Sequence, residues 1–111
     1  MLEYLFTNKN VEKVLMYLSL HDKAYATLLS RTFNTALDPI QKTLKKLEEG
    51  GLLVSFLEGK TRVFQWNPRY PFLVEIQALA KKAYSFLPPQ IQKTQYQSTQ
   101  RKRPRKTGKP L

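Results

Sequence analysis

The strongest constraint on the fold is the segment from residue 37 to residue 66, in which an amphipathic stretch runs directly into two β-rich stretches. In the first part, Ile40, Leu44 and Leu47 recur at the spacing of one helix face. The residues between them are polar and would lie on the opposite, solvated face: Gln41, Lys42, Lys45 and Lys46. We therefore expect a helix with one buried face and one largely cationic face.

The start of this helix carries several consistent signals. Asp38 is a good N-cap residue, Pro39 suits the first helical position, and Gln41 can close a capping box three residues after Asp38. A glycine pair follows the last periodic residue, where glycine commonly ends a helix. The sequence therefore predicts a helix over residues 39–49.

Two β-rich runs follow this helix, over residues 52–57 and 61–66. Residues 58–60 contain a glycine at the point where the chain must reverse, and an Asn-Pro pair ends the second run. We therefore expect a two-stranded antiparallel hairpin with a basic tip.

Three further helical patterns surround this segment. The first has an apolar stripe at positions i, i+3, i+4 and i+7, with Asn8 or Asn10 as its N-cap. The second covers residues 25–33, and the third runs from Pro71 to about Leu87. The stripe of the first helix consists of Val11, Val14, Leu15 and Leu18. These patterns predict a mainly α fold with a small β-hairpin.

The length and the residue types limit the possible functions. A chain of 111 residues supports one domain, which we assign to residues 1–87. It has no cysteine and one histidine, His21, which leaves no disulfide, no thiol chemistry and no usual set of metal ligands. It also lacks a glycine-rich phosphate loop and a pair of convergent carboxylates. We therefore expect neither an enzyme nor a protein that binds a metal or a cofactor.

The sequence also favours a location in the cytoplasm. No apolar run approaches the ~20 residues that a membrane-spanning helix needs. The N-terminal residues do not follow the pattern of a secretory signal, in which an apolar run follows positive charges. We therefore expect no membrane partner.

Positive charge is concentrated near the C-terminal end. The net charge is +11, and residues 88–111, which we call the basic tail, carry seven cations and no acid. Residues 1–87 carry 12 cations and eight acids. Because the tail has few apolar residues to bury, we expect residues 90–111 to be disordered in isolation. An excess of this size favours a polyanionic partner, with nucleic acid the most common.

Three short segments carry a resemblance to a known family. Residues 44–53 read Leu-Lys-Lys-Leu-Glu-Glu-Gly-Gly-Leu-Leu, residues 58–62 read Glu-Gly-Lys-Thr-Arg, and residues 67–71 read Asn-Pro-Arg-Tyr-Pro. Together with the order of helices and hairpin, they resemble winged helix-turn-helix transcriptional regulators of the arsenic-repressor-like and multiple-antibiotic-resistance-repressor-like superfamily in prokaryotes. The metal-sensing relatives use cysteine and histidine ligands, and this chain has no cysteine.

The resemblance implies a homodimeric regulator that binds double-stranded DNA. It implies that helix 39–49 enters the major groove, and that the hairpin (the wing) contacts phosphates or the minor groove. Gln41 could read adenine through its amide. The DNA-binding residues expected on the helix and the wing are Pro39, Gln41, Lys42, Lys45, Lys46, Lys60 and Arg62. The charge of the basic tail adds an expectation of phosphate contacts by Arg101, Lys102, Arg103, Arg105 and Lys106. The implied dimer interface consists of Phe72, Leu73, Ile76, Leu79 and Ala83.

Other interpretations of the same residues remain open. The lysines of helix 39–49 could form an ordinary solvated helix face, and His21 is expected to be exposed or to cap a helix. The fold could also serve as a protein-interaction module, with the basic tail as a nonspecific tether for DNA or RNA, because a fold does not determine a function.

Overall fold

The computed structural model describes residue 6 and residues 8–97 of the chain. In this part the chain is mainly helical, with a two-stranded antiparallel hairpin after the first helices, as the sequence predicts. The elements are α1 (Lys9–Leu20), α2 (Ala26–Phe33), α3 (Leu37–Glu49), β1 (Leu53–Glu58), β2 (Thr61–Trp66), α4 (Leu73–Ser85), the single turn α5 (Pro89–Ile91) and a π-helical segment (Gln92–Gln97). This layout is compatible with a winged helix.

Helix α1 follows its predicted pattern closely. Asn8 is the N-cap, and its side-chain oxygen accepts a hydrogen bond of 2.7 Å from the amide of Asn10. The predicted stripe faces the core, because Val14, Leu15 and Leu18 are buried and Val11 is partly buried against them.

Helix α3 begins at Leu37, earlier than the sequence predicts. Ala36 is the N-cap residue, and no side chain caps the first turn. The predicted N-cap at Asp38, and with it the capping box with Gln41, is wrong. Asp38 lies inside the first turn, where a carboxylate still interacts favourably with the helix dipole, and forms an ion pair of 3.2 Å with Lys42.

The hairpin has the predicted antiparallel pairing but a tighter turn. Glu58 belongs to β1 and pairs with Thr61, so only Gly59 and Lys60 form the turn. Gly59 has a φ of +64° at the first turn position, which is where a type II′ turn requires glycine.

Backbone and side-chain hydrogen bonds fix the base of the hairpin to the helices. Ala24 and Phe64 exchange two backbone hydrogen bonds, of 3.0 and 2.8 Å, so the segment that leads into α2 pairs with β2. The indole nitrogen of Trp66 donates to the carbonyl oxygen of Leu18 at 3.1 Å. The side-chain amide of Asn67 donates to the carbonyl oxygen of Gly51 at 2.8 Å. The hairpin is therefore held in one position relative to α1, α2 and the end of α3.

The core lies between the helices and the inner face of the hairpin. Ile40 and Leu44 of α3 have no exposed surface, and Leu47 is partly buried beside them. They pack in one cluster with α1, α2 and α4. Its remaining fully buried members include Val14, Met16, Leu29 and Leu53.

The first residues of the basic tail are ordered, contrary to the prediction of disorder from residue 90. After α4 the chain turns at Pro88, forms α5, and continues as the π-helical segment. Within that segment, the side chain of Tyr96 is only 3% exposed. Core packing therefore includes a residue beyond position 87, and residues 98–111 lie outside the described residues.

Tyr96 is held by aromatic rings and by a histidine. Its ring makes edge contacts with Phe33 and Tyr84, with ring centres 5.2 and 5.4 Å apart. Its carbonyl oxygen accepts a hydrogen bond of 2.6 Å from Nε2 of His21, which is half-buried and stacks on Tyr17. Burial raises the pKa of the Tyr96 hydroxyl above its ordinary value. We call residues 92–97, which include Tyr96, the clasp.

A second hydrogen-bonding group joins the clasp to the preceding helix. The side-chain amide of Gln92 donates to the carbonyl oxygens of Tyr84 and Leu87, both at 3.1 Å. The Tyr84 carbonyl also accepts a backbone hydrogen bond of 3.0 Å from the amide of Leu87, so Gln92 gives it a second donor. The clasp is therefore joined to the C-terminal end of α4 by hydrogen bonds as well as by the ring of Tyr96.

Replacing Tyr96 by alanine tests the contribution of the clasp to stability. We expect Tyr96→Ala to lower the free energy of unfolding by about 3–5 kcal/mol, the usual cost of removing a buried aromatic ring. Phe86→Ala is the matched control, because Phe86 is 67% exposed and its loss should change stability by less than about 0.5 kcal/mol. Urea unfolding measures both, and equal effects would show that the clasp does not stabilise the fold.

Candidate nucleic-acid interface

The polar face of α3 lies on the surface of the molecule. Since Ile40 and Leu44 point into the core, the opposite side of the helix is turned outwards. All five candidate residues on this helix are exposed: Pro39, Gln41, Lys42, Lys45 and Lys46. The helix therefore presents an amide and three ammonium groups to the solvent.

A groove of about 390 Å³ runs between α3, the start of α2 and the tip of the hairpin. It brings together three candidate residues from two distant parts of the sequence: Gln41, Lys60 and Arg62. The other residues that line it are Tyr25, Ala26, Thr27, Leu44, Thr61 and Phe64. Two cations and three hydroxyl groups therefore face the groove, with no carboxylate among the described residues that line it.

The start of α2 adds a further feature that suits an anion. Tyr25 is the N-cap residue, and no side chain caps the first turn of this helix. Ala26 and Thr27 occupy that first turn and line the groove. Uncapped amide groups and the positive end of the helix dipole both favour negative charge, so a phosphate group fits the chemistry of the groove.

Sequence reasoning missed Tyr25 and Thr27 as candidate residues. The available signal was local: the residue before α2 is a tyrosine, not one of the short polar residues that usually cap a helix. That signal indicates an uncapped helix start, but only the folded chain shows that it lies beside the hairpin tip.

Arg62 is connected to the end of α3 through a hydroxyl group. Its Nη1 lies 3.4 Å from the hydroxyl oxygen of Ser55, and this hydroxyl donates to Glu48 at 2.6 Å. The network joins both strands of the hairpin to the last turn of α3. Ser55 and Glu48 therefore help to position Arg62, a role that neither residue was given from the sequence.

The three lysines of α3 lie outside this groove, on the exposed surface of the helix. Lys42 pairs with Asp38, and both side chains are largely exposed. Glu48 and Glu49 are also exposed near the end of α3. The cationic surface is therefore interrupted by acids, and the candidate residues Arg101, Lys102, Arg103, Arg105 and Lys106 lie outside the described residues.

The residues expected at a dimer interface divide into three groups. Phe72, next to the start of α4, is 59% exposed, and Leu73, Ile76 and Leu79 are half-buried. Ala83 is buried in the core of the single chain, so this face of α4 packs against the other core residues of the same chain. Val74, which the sequence pattern did not select, is 73% exposed.

Residue 6 and residues 8–97 contain no group of three or more histidine, aspartate or glutamate residues that could hold a metal ion. In the same part of the chain, no helix combines the length and the apolar character needed to cross a membrane.

Comparison of the chain with protein-family models, with curated proteins and with solved structures found no match. The fold and the chemistry of the groove are therefore the basis for a functional proposal.

Removal of the acid on α3 tests whether this surface binds polyanions. Asp38→Asn leaves Lys42 without its carboxylate partner. We therefore expect binding to a short mixed-sequence DNA duplex at low salt to strengthen about twofold to fivefold, the size of one exposed charge interaction. Glu75→Gln in the first turn of α4 is the control, because it changes the net charge equally at another surface. An equal gain in both variants would show that only the net charge matters.

Proposed function

We propose that this protein is a winged helix-turn-helix regulator that binds double-stranded DNA as a homodimer. The observation that carries the proposal is the groove in which Gln41 of α3 meets Lys60 and Arg62 of the hairpin. An exposed polar helix beside a cationic hairpin has the shape and charge that duplex recognition requires.

In this proposal, α3 supplies the sequence preference. An α-helix fits the major groove of DNA, and residues near its N-terminal end contact base edges. Gln41 lies on the exposed side of the second helical turn, and its amide can pair with both adenine groups in the major groove. Lys42 and Lys45 contact phosphates, which fix the register of the helix.

The hairpin and the start of α2 bind the DNA backbone. Lys60 and Arg62 provide two positive charges at one side of the groove, while the first turn of α2 provides amide groups at the other. A backbone phosphate in this groove would be held from both sides, with Gln41 beside it. This arrangement orients α3 relative to the duplex without reading sequence.

The proposed dimer uses the apolar surface at the start of α4. Phe72 and Val74 are the two exposed apolar side chains there, and a second copy of the chain would cover them. A two-fold axis would then separate the two α3 helices by about one turn of DNA, ~34 Å.

Selection from a random DNA library, combined with a measurement of solution mass, tests the proposal. We expect enrichment of one palindromic motif and the mass of two chains. Uniform enrichment of all sequences would instead support the alternative, a protein-interaction module with a nonspecific nucleic-acid tether.

Loss of the Gln41 amide should affect one position of the motif. We expect Gln41→Ala to weaken binding to the selected site by about 1–3 kcal/mol and to relax the preference at one base pair, because a bidentate contact is lost. Gln90→Ala is the matched control, since Gln90 is an exposed glutamine in α5. Binding measurements on single-base variants of the site decide the outcome, and an unchanged preference in Gln41→Ala would contradict the assigned role.

Loss of residues 98–111, which we call the outer tail, should affect all DNA sequences alike. Because Tyr96 belongs to the core, the deletion must start after Gln97, and it removes six cations: Arg101, Lys102, Arg103, Arg105, Lys106 and Lys109. The intact chain should neutralise about five to eight phosphates, which gives a slope of log K against log salt of roughly −4.5 to −7. We expect the deletion to flatten this slope by about 0.9 per lost contact and to leave the motif unchanged. Loss of the motif would contradict this division of roles.

A further inference from the structure

The groove between α3, α2 and the hairpin has an apolar part that a DNA backbone phosphate would not use. Leu44 and Phe64 line the groove, and both side chains are buried, so they form its floor. The half-buried ring of Tyr25 also lines it. The volume of about 390 Å³ lies within the range of sites for small organic molecules, ~300–1,000 Å³. The groove therefore suits a ligand that has a planar apolar part as well as a negative charge.

The two cations of the groove are available to bind that charge. Lys60 is exposed, and no described residue forms an ion pair with it. Arg62 donates one long hydrogen bond, to Ser55, and its other donor groups remain for a ligand. Two positive charges match a phosphate monoester, which carries about −1.5 to −2 at neutral pH. They match less well the single charge of a carboxylate or of a phosphate inside a DNA strand.

The other groups that line the groove suit a nucleoside. A nucleobase of any kind can stack on an aromatic ring such as that of Tyr25. The amide of Gln41 offers one donor and one acceptor, the combination that pairs with the edge of adenine. The exposed hydroxyl groups of Thr27 and Thr61 can bond to the hydroxyl groups of a sugar. A base inside a duplex is stacked and paired, so only an unpaired base can reach the floor.

We propose that this groove binds a nucleoside 5′-monophosphate, either as a free nucleotide or as the unpaired 5′ end of a DNA strand. Lys60 and Arg62 bind the phosphate, the base stacks on Tyr25 above the apolar floor, and Gln41 contacts the edge of the base. The three parts of the ligand thus correspond to three kinds of groups that line the groove.

Occupation of the groove has a consequence for the proposed function. Gln41, Lys60 and Arg62 are the residues that carry the proposed binding of duplex DNA, so a bound nucleotide and a duplex exclude each other. A free nucleotide would therefore release the protein from its DNA site. The competition rests on the proposed function, whereas the binding of the nucleotide does not.

Calorimetry on the intact chain at constant ionic strength tests the binding. The ligands are adenosine monophosphate (AMP), adenosine and inorganic phosphate. We expect AMP to bind at least about tenfold more tightly than either of the others, because only AMP uses both the aromatic ring and the cations. A duplex with one unpaired, 5′-phosphorylated adenosine at each end is compared with a blunt duplex without phosphates. Binding of AMP identifies a free nucleotide as the ligand, and a preference for the overhang without binding of AMP identifies the strand end.

Substitutions separate the two halves of the site. We expect Tyr25→Ala to weaken AMP binding about tenfold to a hundredfold, whereas Tyr25→Phe, which keeps the ring, should retain it. Lys60→Gln should weaken the binding of AMP about twofold to fivefold and leave that of adenosine unchanged. Lys81→Gln is the control, because Lys81 is an exposed lysine of α4 and its loss changes the net charge equally. Since Lys60 and Lys81 are both exposed, neither change disturbs the core.

The outcomes distinguish the nucleotide site from the proposed function. Binding of AMP no tighter than that of inorganic phosphate, together with no preference for the overhang, would overturn the nucleotide site. Equal effects of Lys60→Gln and Lys81→Gln would also overturn it. Displacement of a duplex that carries the selected motif by AMP, but not by adenosine, is the expected competition. If AMP binds as described and the selection yields no motif, the nucleotide site stands and the proposed function is rejected.

Discussion

The burial of Ile40 and Leu44 determines the orientation of α3, and the candidate interface depends on it. Both side chains are completely buried between the other helices and the hairpin. A helix anchored on one face cannot rotate without exposing that face, so Gln41 and Lys45 are kept in the solvent. An apolar-to-polar change at Leu44 would therefore disturb the surface as well as the core. The interface is a consequence of core packing, although none of the residues that would touch DNA belongs to the core.

The groove requires a second constraint, which is the fixed position of the hairpin. An isolated two-stranded hairpin is at best marginally stable in water. Here the pairing of Ala24 with Phe64 and the bonds from Trp66 and Asn67 hold its base against the helices. With the base held in this way, the tip lies beside the first turn of α2 and beside α3. Asp38 and Glu48 interrupt the positive charge of α3, so in the proposed function this surface would discriminate between anionic partners more than a uniformly positive surface would.

The sequence predicts those features of the fold that depend on local periodicity. The stripe of α1, the hairpin and the exposed face of α3 each repeat over several residues, so single exceptions do not hide them. The start of α3 was mispredicted because Asp38 has two favourable roles, as a cap and as a partner of Lys42, and only the structure distinguishes them. The juxtaposition of Gln41 with Arg62 depends on how the hairpin docks. The role of Tyr96 was missed because one aromatic residue in a polar segment carries no periodic signal.

Tyr96 also shows how one buried side chain can order a segment that composition describes as unstructured. Each ordered residue of the clasp loses backbone entropy, and the segment has few other apolar groups to offset this loss. The main favourable contributions are the burial of one ring against Phe33 and Tyr84, and the hydrogen bonds made by His21 and Gln92. Such a segment opens at a lower free energy than the helices of the core. The order of residues 92–97 therefore depends on a few identifiable interactions, and because Tyr96 also belongs to the core, their loss is expected to lower the stability of the fold.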